Sequence, residues 1–235
     1  FHAARAAGFD NISLDLMYGL PTQTLDDLKT SVNAALALAP EHISVYGLIV
    51  EEGTPFAAAE VQGRLTLPSE DVAEEMYDYL MEELPARGYV RYEISNFARA
   101  GYESLHNLGY WRNVPYLGVG AAAHGYVDSV RWGNEPDTEK YIRAIQTGRS
   151  VRMPEDTERT RANAMEEYAF LALRTAQGID EADFRRTFGV GIDDVYGAVI
   201  GKYITQGLLC RADGFIALTN AGMKVGNEVF AAFLH

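Results

Sequence analysis

Short apolar runs alternate with helix-like stretches over the first 95 residues, and this alternation limits the fold more than any other feature. The apolar runs lie at 11–19, 42–50 and 89–95, whereas 24–39 and 69–87 repeat apolar side chains at helical spacing. Strand, helix and strand at this pitch are typical of βαβ units, and near-continuous apolar strands indicate a parallel sheet covered on its faces. About three to four strands are fewer than a closed barrel or a full doubly wound sheet usually has. We therefore predict an α/β fold that is the later part of a larger domain.

Local signals mark the ends of these segments. TLDD at 24–27 resembles a capping box with Asp in place of Glu. Gly8 and Gly88 each follow a helical stretch, at the position where a left-handed residue is favoured. EEGTPF at 51–56 is typical of a turn. Because the helix that ends at Gly8 starts almost with the chain, we expect the chain to begin within an element.

The rest of the chain completes the first predicted domain and then forms a smaller second one. We divide the chain into a domain at 1–150 and a winged-helix-like domain at 151–235. The predicted elements are a hairpin (126–135), a helix (137–148), a linker-like segment (149–156), helices (157–176, 180–188 and 192–206), a hairpin closed by Asp213-Gly214 and a last helix (219–234).

Charge and composition narrow the classes of function. The 235 residues carry 20 Lys plus Arg against 33 Asp plus Glu, and this net charge of −13 has the wrong sign for binding a phosphate backbone. The helix at 192–206, which would be the recognition helix of a winged-helix domain, contains two Asp and one Lys. No apolar run approaches the ~20 residues of a membrane-spanning helix, and no secretory leader opens the chain. We therefore expect a soluble, cytoplasmic protein that does not bind nucleic acid.

The chain contains one cysteine, Cys210, which lies in the C-terminal hairpin. A single cysteine excludes an internal disulfide and any iron–sulfur or metal centre built from several cysteines of this chain. Ligands for such a centre would have to come from elsewhere.

Asp15 lies between Leu14 and Leu16 in the first apolar run, where an unpaired buried carboxylate would be unfavourable. Strand alternation places Ser13, Asp15 and Met17 on one face. Residues near the carboxyl ends of parallel strands face the ligand in α/β folds, and a carboxylate there can accept hydrogen bonds from ribose hydroxyls. Two interpretations stay open: a ligand-binding carboxylate, or a structural Asp that caps the following turn.

HNLGYW at 106–111 combines an imidazole, an amide and two aromatic rings. If the segment is helical, His106 and Tyr110 lie one turn apart on one face. An imidazole beside Tyr110 and Trp111 could ligate and sandwich a haem. The pattern alone also fits a buried loop that is anchored by aromatic residues.

The stretch from Gly118 to Gly125 combines small residues with His124. Small side chains let a backbone or a flat ligand approach closely, but this stretch lacks the lysine of a phosphate-binding P-loop. His124 fits either a ligand or a hydrogen-bonded core residue. Polar residues without the pattern of a catalytic triad end the third predicted strand: Tyr92, Glu93 and Asn96.

Taken together, several motifs resemble the oxygen-independent coproporphyrinogen III oxidase family of radical S-adenosylmethionine proteins, and the resemblance covers nearly the whole chain. The matching segments are DLMYGLPTQT (15–24), HISVYGLIVEEGTPF (42–56), YEISNFARAGYESLHNLGYW (92–111), YLGVGAAAHGY (116–126) and AMEEYAFLALRTAQGI (164–179). Within the family, HNLGYW fits the HNxxYW signature of the haem chaperone branch, the HemW type. The decarboxylating oxidases are not expected to carry it.

The resemblance implies the later part of a partial (βα)6 barrel followed by a small winged-helix-like domain. It also implies cofactors: a [4Fe-4S] cluster on a CxxxCxxC loop, and S-adenosylmethionine bound to that cluster. This sequence has no such loop. We therefore expect the cluster-binding half of the protein to be absent from this chain.

The family's binding residues carry over position by position. S-adenosylmethionine contacts fall on Asp15, Met17, Tyr46 and Ile49. Strand alternation places Tyr46 and Ile49 on opposite faces unless Gly47 permits a bulge. The haem motif falls on four residues, of which His106 would bind the iron: His106, Asn107, Tyr110 and Trp111.

The function that the resemblance implies is that of a haem chaperone, which binds haem and passes it to a client such as a membrane respiratory apoprotein. One alternative is a coproporphyrinogen III oxidase, which converts two propionates to vinyl groups by radical hydrogen abstraction and decarboxylation. The other alternative is an interaction domain without a ligand.

Overall fold

A parallel strand–helix–strand unit follows a short N-terminal helix. The computed structural model describes residues 1–154 and 160–234. Its first elements are α1 (His2–Ala6), β1 (Ser13–Tyr18), α2 (Leu25–Leu38) and β2 (His42–Gly47). β1 and β2 pair in parallel. The predicted capping box starts α2: Thr24 Oγ1 accepts from the Asp27 N–H, and the Asp27 carboxylate accepts from the Thr24 N–H.

The predicted direction of the third strand is wrong. After α3 (Pro55–Val61) and α4 (Glu70–Ala86), the segment 89–95 contributes only the short strand β3 (Val90–Arg91), and the chain turns back as β4 (Asn96–Ala98). The Tyr92 N–H donates to the Asn96 carbonyl (3.2 Å) across this turn. A tight turn joins antiparallel strands only, so β4 runs antiparallel to β3. β4 also pairs with β2 in the antiparallel direction. The sheet order is β1-β2-β4-β3, and the sheet is mixed rather than parallel.

One face of this sheet carries the core of the first unit. α2 and α4 pack on it, and alternation along β1 turns Leu14, Leu16 and Tyr18 inward while Asp15 and Met17 stay exposed. The buried core residues are Leu28, Val32, Ile43, Val45, Met76, Leu80, Leu84, Tyr89 and Phe97. The sheet face that carries Asp15 and Met17 therefore lies outside this core.

The predicted turn at 51–56 is wrong in part, because Pro55 and Phe56 begin α3. The Thr54 hydroxyl accepts from the Ala57 N–H (3.2 Å), and Pro55 occupies the first helical position. A capping Thr followed by Pro is a helix-start signal that the glycine beside it obscured. The predicted helix at 69–87 is confirmed as α4, which Ser69 caps.

The chain divides into two compact units, Phe1–Ser104 and Leu105–His235. The division into domains at 1–150 and 151–235 stays a prediction. The elements of the second unit are α5 (Leu105–Trp111), β5 (His124–Val127), β6 (Val130–Asn134), α6 (Thr138–Gln146), β7 (Arg152–Pro154), α7 (Arg161–Ala172), β8 (Ile179–Asp180), α8 (Glu181–Phe188), α9 (Ile192–Thr205), β9 (Leu209–Ala212), β10 (Phe215–Leu218), α10 (Asn220–Lys224) and α11 (Gly226–Ala231).

The hairpin predicted at 126–135 is confirmed as β5 and β6. Asp128 and Ser129 have φ of 52° and 63°, the left-handed values of the two-residue turn that matches strand twist. β7 adds to β6, so the linker-like segment is a strand at Arg152–Pro154, and its last residues, 155–156, lie outside the described residues. Pairing with β6, rather than any local pattern, makes this strand.

The C-terminal elements follow the winged-helix order. α7, β8, α8, α9 and the β9–β10 hairpin succeed one another, and their sheet has the order β8-β10-β9. The helices predicted at 180–188 and 192–206 are confirmed as α8 and α9, whereas 157–159 of the preceding predicted helix lie outside the described residues. Arg211 of β9 forms ion pairs with Glu181 of α8 and Asp193 of α9, which raise the pKa of the guanidinium. The acidic first turn of α9 is thus tied to the hairpin.

The last predicted helix, 219–234, is instead two short helices, α10 and α11. They meet at Val225, whose φ of −116° departs from helical geometry. A Cβ on Gly222 would lie 1.9 Å from the Leu208 carbonyl oxygen, so α10 packs directly on the backbone before β9. Among the described residues, no helix has the length and apolar character needed to cross a membrane.

Candidate functional site

Three of the four residues predicted to bind S-adenosylmethionine share one sheet face. Asp15 and Met17 project from β1, and Met17 is in register with Tyr46 of β2. Met17 and Tyr46 are exposed, although both are large and apolar. Ile49 is 75% exposed and follows the end of β2 at Gly47, so strand alternation does not constrain it. The expected conflict between Tyr46 and Ile49 therefore does not arise.

Asp15 is exposed and has no hydrogen bond or ion pair within the ranges 1–154 and 160–234. The turn after β1 is closed by Gln23, whose Oε1 accepts from the Leu20 N–H (3.1 Å). The structural interpretation required Asp15 to cap that turn, and Asp15 does not do so. Its carboxylate is left available to a ligand.

A hydrogen-bonded chain of side chains lies beside Asp15 on the same unit. His42 Nδ1 lies 2.8 Å from Ser13 Oγ, and its Nε2 lies 2.8 Å from the Tyr92 hydroxyl. Burial lowers the pKa of His42, and the negative charge of Asp15 opposes that shift only in part. A neutral imidazole supplies one donor and one acceptor, which both hydroxyls can match. These hydrogen bonds fix the side chains of Ser13, His42 and Tyr92 in place beside Asp15.

Glu93 and Asn96, singled out in the sequence with Tyr92, are both buried. Asn96 Nδ2 and the Ser95 N–H donate to Glu93 Oε1, the latter at 3.0 Å. Tyr92 joins His42 instead, so the three polar residues divide between two clusters.

The HNLGYW segment is helical, as its haem interpretation required. In α5 the ring centroids of His106 and Tyr110 lie 4.7 Å apart in an edge-to-face contact. Tyr110 contacts Tyr116 in the same way at 4.7 Å, and Tyr116 lies 6.4 Å from Tyr126. We call these four residues the aromatic row. Tyr116 and Tyr126 were not predicted, and their only signal was their position on either side of the stretch from Gly118 to Gly125.

His106 stands at the exposed end of the aromatic row. Its ring contacts Tyr110 and has no hydrogen bond within the described part of the chain. The surrounding segment keeps large apolar side chains exposed: Leu105, Tyr110, Val114, Leu117 and Val119. No group of three or more metal-ligating side chains occurs among the described residues. Haem iron is already held by its porphyrin, so one imidazole on an apolar surface is a sufficient donor for it.

Trp111 lies outside the aromatic row. The guanidinium of Arg174, just after α7, lies 5.4 Å from its ring centroid. Its Nε1 is buried and has no hydrogen-bond partner in the described residues, so ring contacts hold the indole in place. Asn107 is half-buried on α5. Trp111 thus ties α5 to the end of α7.

At Gly118 and Gly125, the close approach that small residues permit is made by the chain's own atoms. A Cβ on Gly118 would lie 2.0 Å from the His124 carbonyl oxygen, and one on Gly125 would lie 2.2 Å from the Trp132 ring. The chain's own atoms fill both approaches, so these glycines serve packing. His124 itself is exposed at the start of β5 and is not a core residue.

Comparison with known proteins finds similar chains among HemN and HemW proteins. The HemN C-terminal domain matches residues 160–225. The heme chaperone HemW of Bacillus subtilis is 45% identical over 236 residues, covering 100% of this chain and 62% of its own length. HemW of Escherichia coli is 30% identical, covering 98% of this chain and 60% of its own length. This chain is therefore similar to HemW proteins over nearly its whole length, and to the HemN C-terminal domain over residues 160–225.

A solved structure shows the same fold. Coproporphyrinogen III oxidase (HemN) from Escherichia coli, described as a radical SAM enzyme, superposes with a TM-score of 0.77 at 18% identity. The match covers 99% of this chain and 56% of HemN. The mixed α/β architecture of this HemN-like chain is therefore that of HemN. The chain spans about three fifths of the length of the HemW proteins that it matches.

Proposed function

We propose that this protein is a haem chaperone of the HemW type, which binds haem and passes it to a client apoprotein. One observation carries the proposal: the exposed imidazole of His106 ends an aromatic row on a segment with exposed apolar side chains. Haem offers an apolar ring and an iron that accepts a His axial ligand. The similarity to HemW proteins supports the same conclusion.

The residues of α5 take distinct roles in this proposal. His106 binds the iron, and the edge-to-face contact with the Tyr110 ring fixes the orientation of the imidazole. Asn107 lies on the same helix and is a further haem contact. Trp111 holds the helix in place through Arg174. Because His106 and Tyr110 are exposed, haem bound there stays accessible to a client, as transfer requires.

The exposed face of the first sheet fits S-adenosylmethionine. The carboxylate of Asp15 would accept hydrogen bonds from the ribose hydroxyls, and Met17, Tyr46 and Ile49 offer exposed apolar surface beside it. With a [4Fe-4S] cluster, this cofactor supplies the radical chemistry of the family. This chain contributes no set of cluster ligands, because its one cysteine, Cys210, is exposed in β9.

We further propose a cytoplasmic protein whose client is a haem-requiring, membrane-associated apoprotein. The net charge of −13 argues against a nucleic-acid partner. The use of Asp193 in an ion pair with Arg211 gives the acidic start of α9 a structural purpose instead.

The fold shared with HemN favours a second candidate, coproporphyrinogen III oxidation. The two functions are separated by giving the full-length, cluster-loaded protein either haem or coproporphyrinogen III with S-adenosylmethionine under anaerobic conditions. We expect stoichiometric haem binding, transfer of haem to an apo-haem protein, and no vinyl product. Repeated turnover to vinyl products would establish the oxidase instead. Failure to bind haem and S-adenosylmethionine would favour the interaction domain without a ligand.

A further inference from the structure

The sheet face that carries Asp15 continues as a polar row across two more strands. Asp15 of β1 is in register with Ser44 of β2, and Ser44 is in register with Asn96 of β4. Register partners on paired strands project to the same face, and neighbouring strands lie ~4.8 Å apart. Asn96 is therefore two strands, or roughly 10 Å, from Asp15 on the same face.

Asn96 ends this row with an unmatched acceptor. The residue is 4% exposed, and its Oδ1 has no hydrogen-bond partner in the described residues. Nearly all buried polar atoms of native proteins have a partner, and an exception calls for an explanation such as a ligand.

Glu93 fixes the direction of that acceptor. It is 2% exposed, and its Oε1 accepts from Asn96 Nδ2 and from the Ser95 N–H. Only the nitrogen of the Asn96 amide can donate to a carboxylate, and a flipped amide would set two oxygens against each other. Glu93 therefore holds Asn96 Oδ1 pointing away from itself.

In the part of the chain that the structure describes, Glu93 has no cationic partner at this end of the row. Within the described ranges, its side chain receives hydrogen bonds only from Asn96 and Ser95, both of them uncharged. A buried carboxylate without a cation favours a neighbouring ligand that carries positive charge and N–H donors.

We propose that Asn96 and Glu93 form an acceptor subsite for an amino or ammonium group of the nucleoside ligand whose ribose Asp15 holds. The subsite rests on the proposed function of Asp15. Asn96 contacts the ligand through Oδ1, and Glu93 is a positioning residue that acts through Asn96. S-adenosylmethionine carries two groups of this kind, the 6-amino group of adenine and the α-ammonium group, and a positive sulfonium besides.

Binding of S-adenosylmethionine to the full-length, cluster-loaded protein tests the subsite by isothermal titration calorimetry. Asn96→Ala removes the acceptor and should weaken binding by about 10- to 100-fold. Glu93→Gln keeps the side-chain size, but its amide N–H can donate to Asn96 Oδ1 and occupy the acceptor. It should therefore weaken binding in the same direction. Asn33→Ala, at an exposed position on α2, is the matched control and should bind as the wild type does.

Analogues separate a binding role from a structural one. S-adenosylhomocysteine keeps both amino groups but lacks the sulfonium charge, and 5′-methylthioadenosine keeps only the adenine amino group. Because both ligands keep the two amino groups, Glu93→Gln, acting through Asn96, should weaken S-adenosylmethionine and S-adenosylhomocysteine binding by similar factors. A loss confined to S-adenosylmethionine would show that Glu93 acts on the sulfonium charge, and it would overturn the role of Glu93 as a positioning residue. Loss of 5′-methylthioadenosine affinity in Asn96→Ala would assign the subsite to adenine, and its retention would assign it to the α-ammonium group.

The three variants also distinguish failure of the subsite from failure of the proposed S-adenosylmethionine site at Asp15, which we call the binding face. Wild-type affinity in folded Asn96→Ala and Glu93→Gln, with weak binding in Asp15→Ala, would overturn the subsite alone. Wild-type affinity in all three would overturn the binding face as well. If Asn96→Ala does not fold, as circular dichroism would show, the nearly isosteric Glu93→Gln decides.

Discussion

Replacing Asp15 by alanine should weaken ligand binding and leave the fold intact. The side chain is exposed on β1 and has no hydrogen bond within the described residues, so its loss leaves no buried group unmatched. The core contacts of β1 come from the opposite face, from Leu16 and Tyr18. We therefore expect the free energy of unfolding to change by less than about 0.5 kcal/mol, as at ordinary surface positions.

The loss of binding follows from the hydrogen bonds that a carboxylate makes to a ribose. Each hydrogen bond to a charged group contributes about 1.5–3 kcal/mol, and removing one should raise the dissociation constant for S-adenosylmethionine by about 10- to 150-fold. Calorimetry on the full-length, cluster-loaded protein measures this constant. Asp10→Ala, an exposed carboxylate that precedes β1, is the matched control and should leave it unchanged.

The same variant should also alter His42. Asp15 raises the pKa of this imidazole against the larger effect of burial, so the pKa of His42 should fall further in Asp15→Ala, as an NMR titration would show. Wild-type ligand affinity in a folded Asp15→Ala protein would refute the ligand role. Unfolding of the variant without ligand would show a structural role instead.

Two further predictions concern stability. Burial lowers the pKa of His42 below 6.5 in the folded protein. Between the lowered pKa and 6.5, the unfolded state therefore binds more protons than the folded state. Stability should rise with pH through that window and level off above it. Urea unfolding from about pH 5 to about pH 8 should show a smaller rise in His42→Gln, and equal rises would contradict this. Gly125→Ala would place a Cβ 2.2 Å from the Trp132 ring and should lower stability by about 1–3 kcal/mol. Gly201→Ala, in open space on α9, should instead raise stability by about 0.5–1 kcal/mol. Thermal melts in which both variants shift the melting temperature in the same direction would refute the packing argument.

Elements with signals in their own sequence were predicted well. The capping box of Thr24 and Asp27 marked the start of α2, and Asp213-Gly214 marked the β9–β10 hairpin. The helical spacing of His106 and Tyr110 predicted their contact in α5. Each of these depends on interactions within a few residues, which a sequence displays directly.

Elements that depend on distant partners were not predictable in the same way. The apolar residues of 89–95 suggested one parallel strand, but the turn at 92–95 reverses the chain into β4. Tyr116 joins the aromatic row through its ring contact with Tyr110, and an isolated bridge pairs it with Tyr126, ten residues later. A close approach at Gly118 and Gly125 was predicted, but no local pattern shows that His124 and Trp132 make it.

Haem titration of the full-length protein tests most directly the claim that His106 is the iron ligand of a haem chaperone. Soret absorption and electron paramagnetic resonance would compare the wild type with His106→Ala and with His124→Ala, another exposed histidine of the second unit. Loss of a residue that only hydrogen-bonds to a metal ligand lowers metal affinity by about 10- to 100-fold. Because His106 is proposed to bind the iron directly, His106→Ala should weaken haem binding by at least about tenfold and change the axial-ligand spectrum. His124→Ala should match the wild type in both. Unchanged affinity and spectra in a folded His106→Ala protein, or a change in His124→Ala alone, would contradict the proposed haem site.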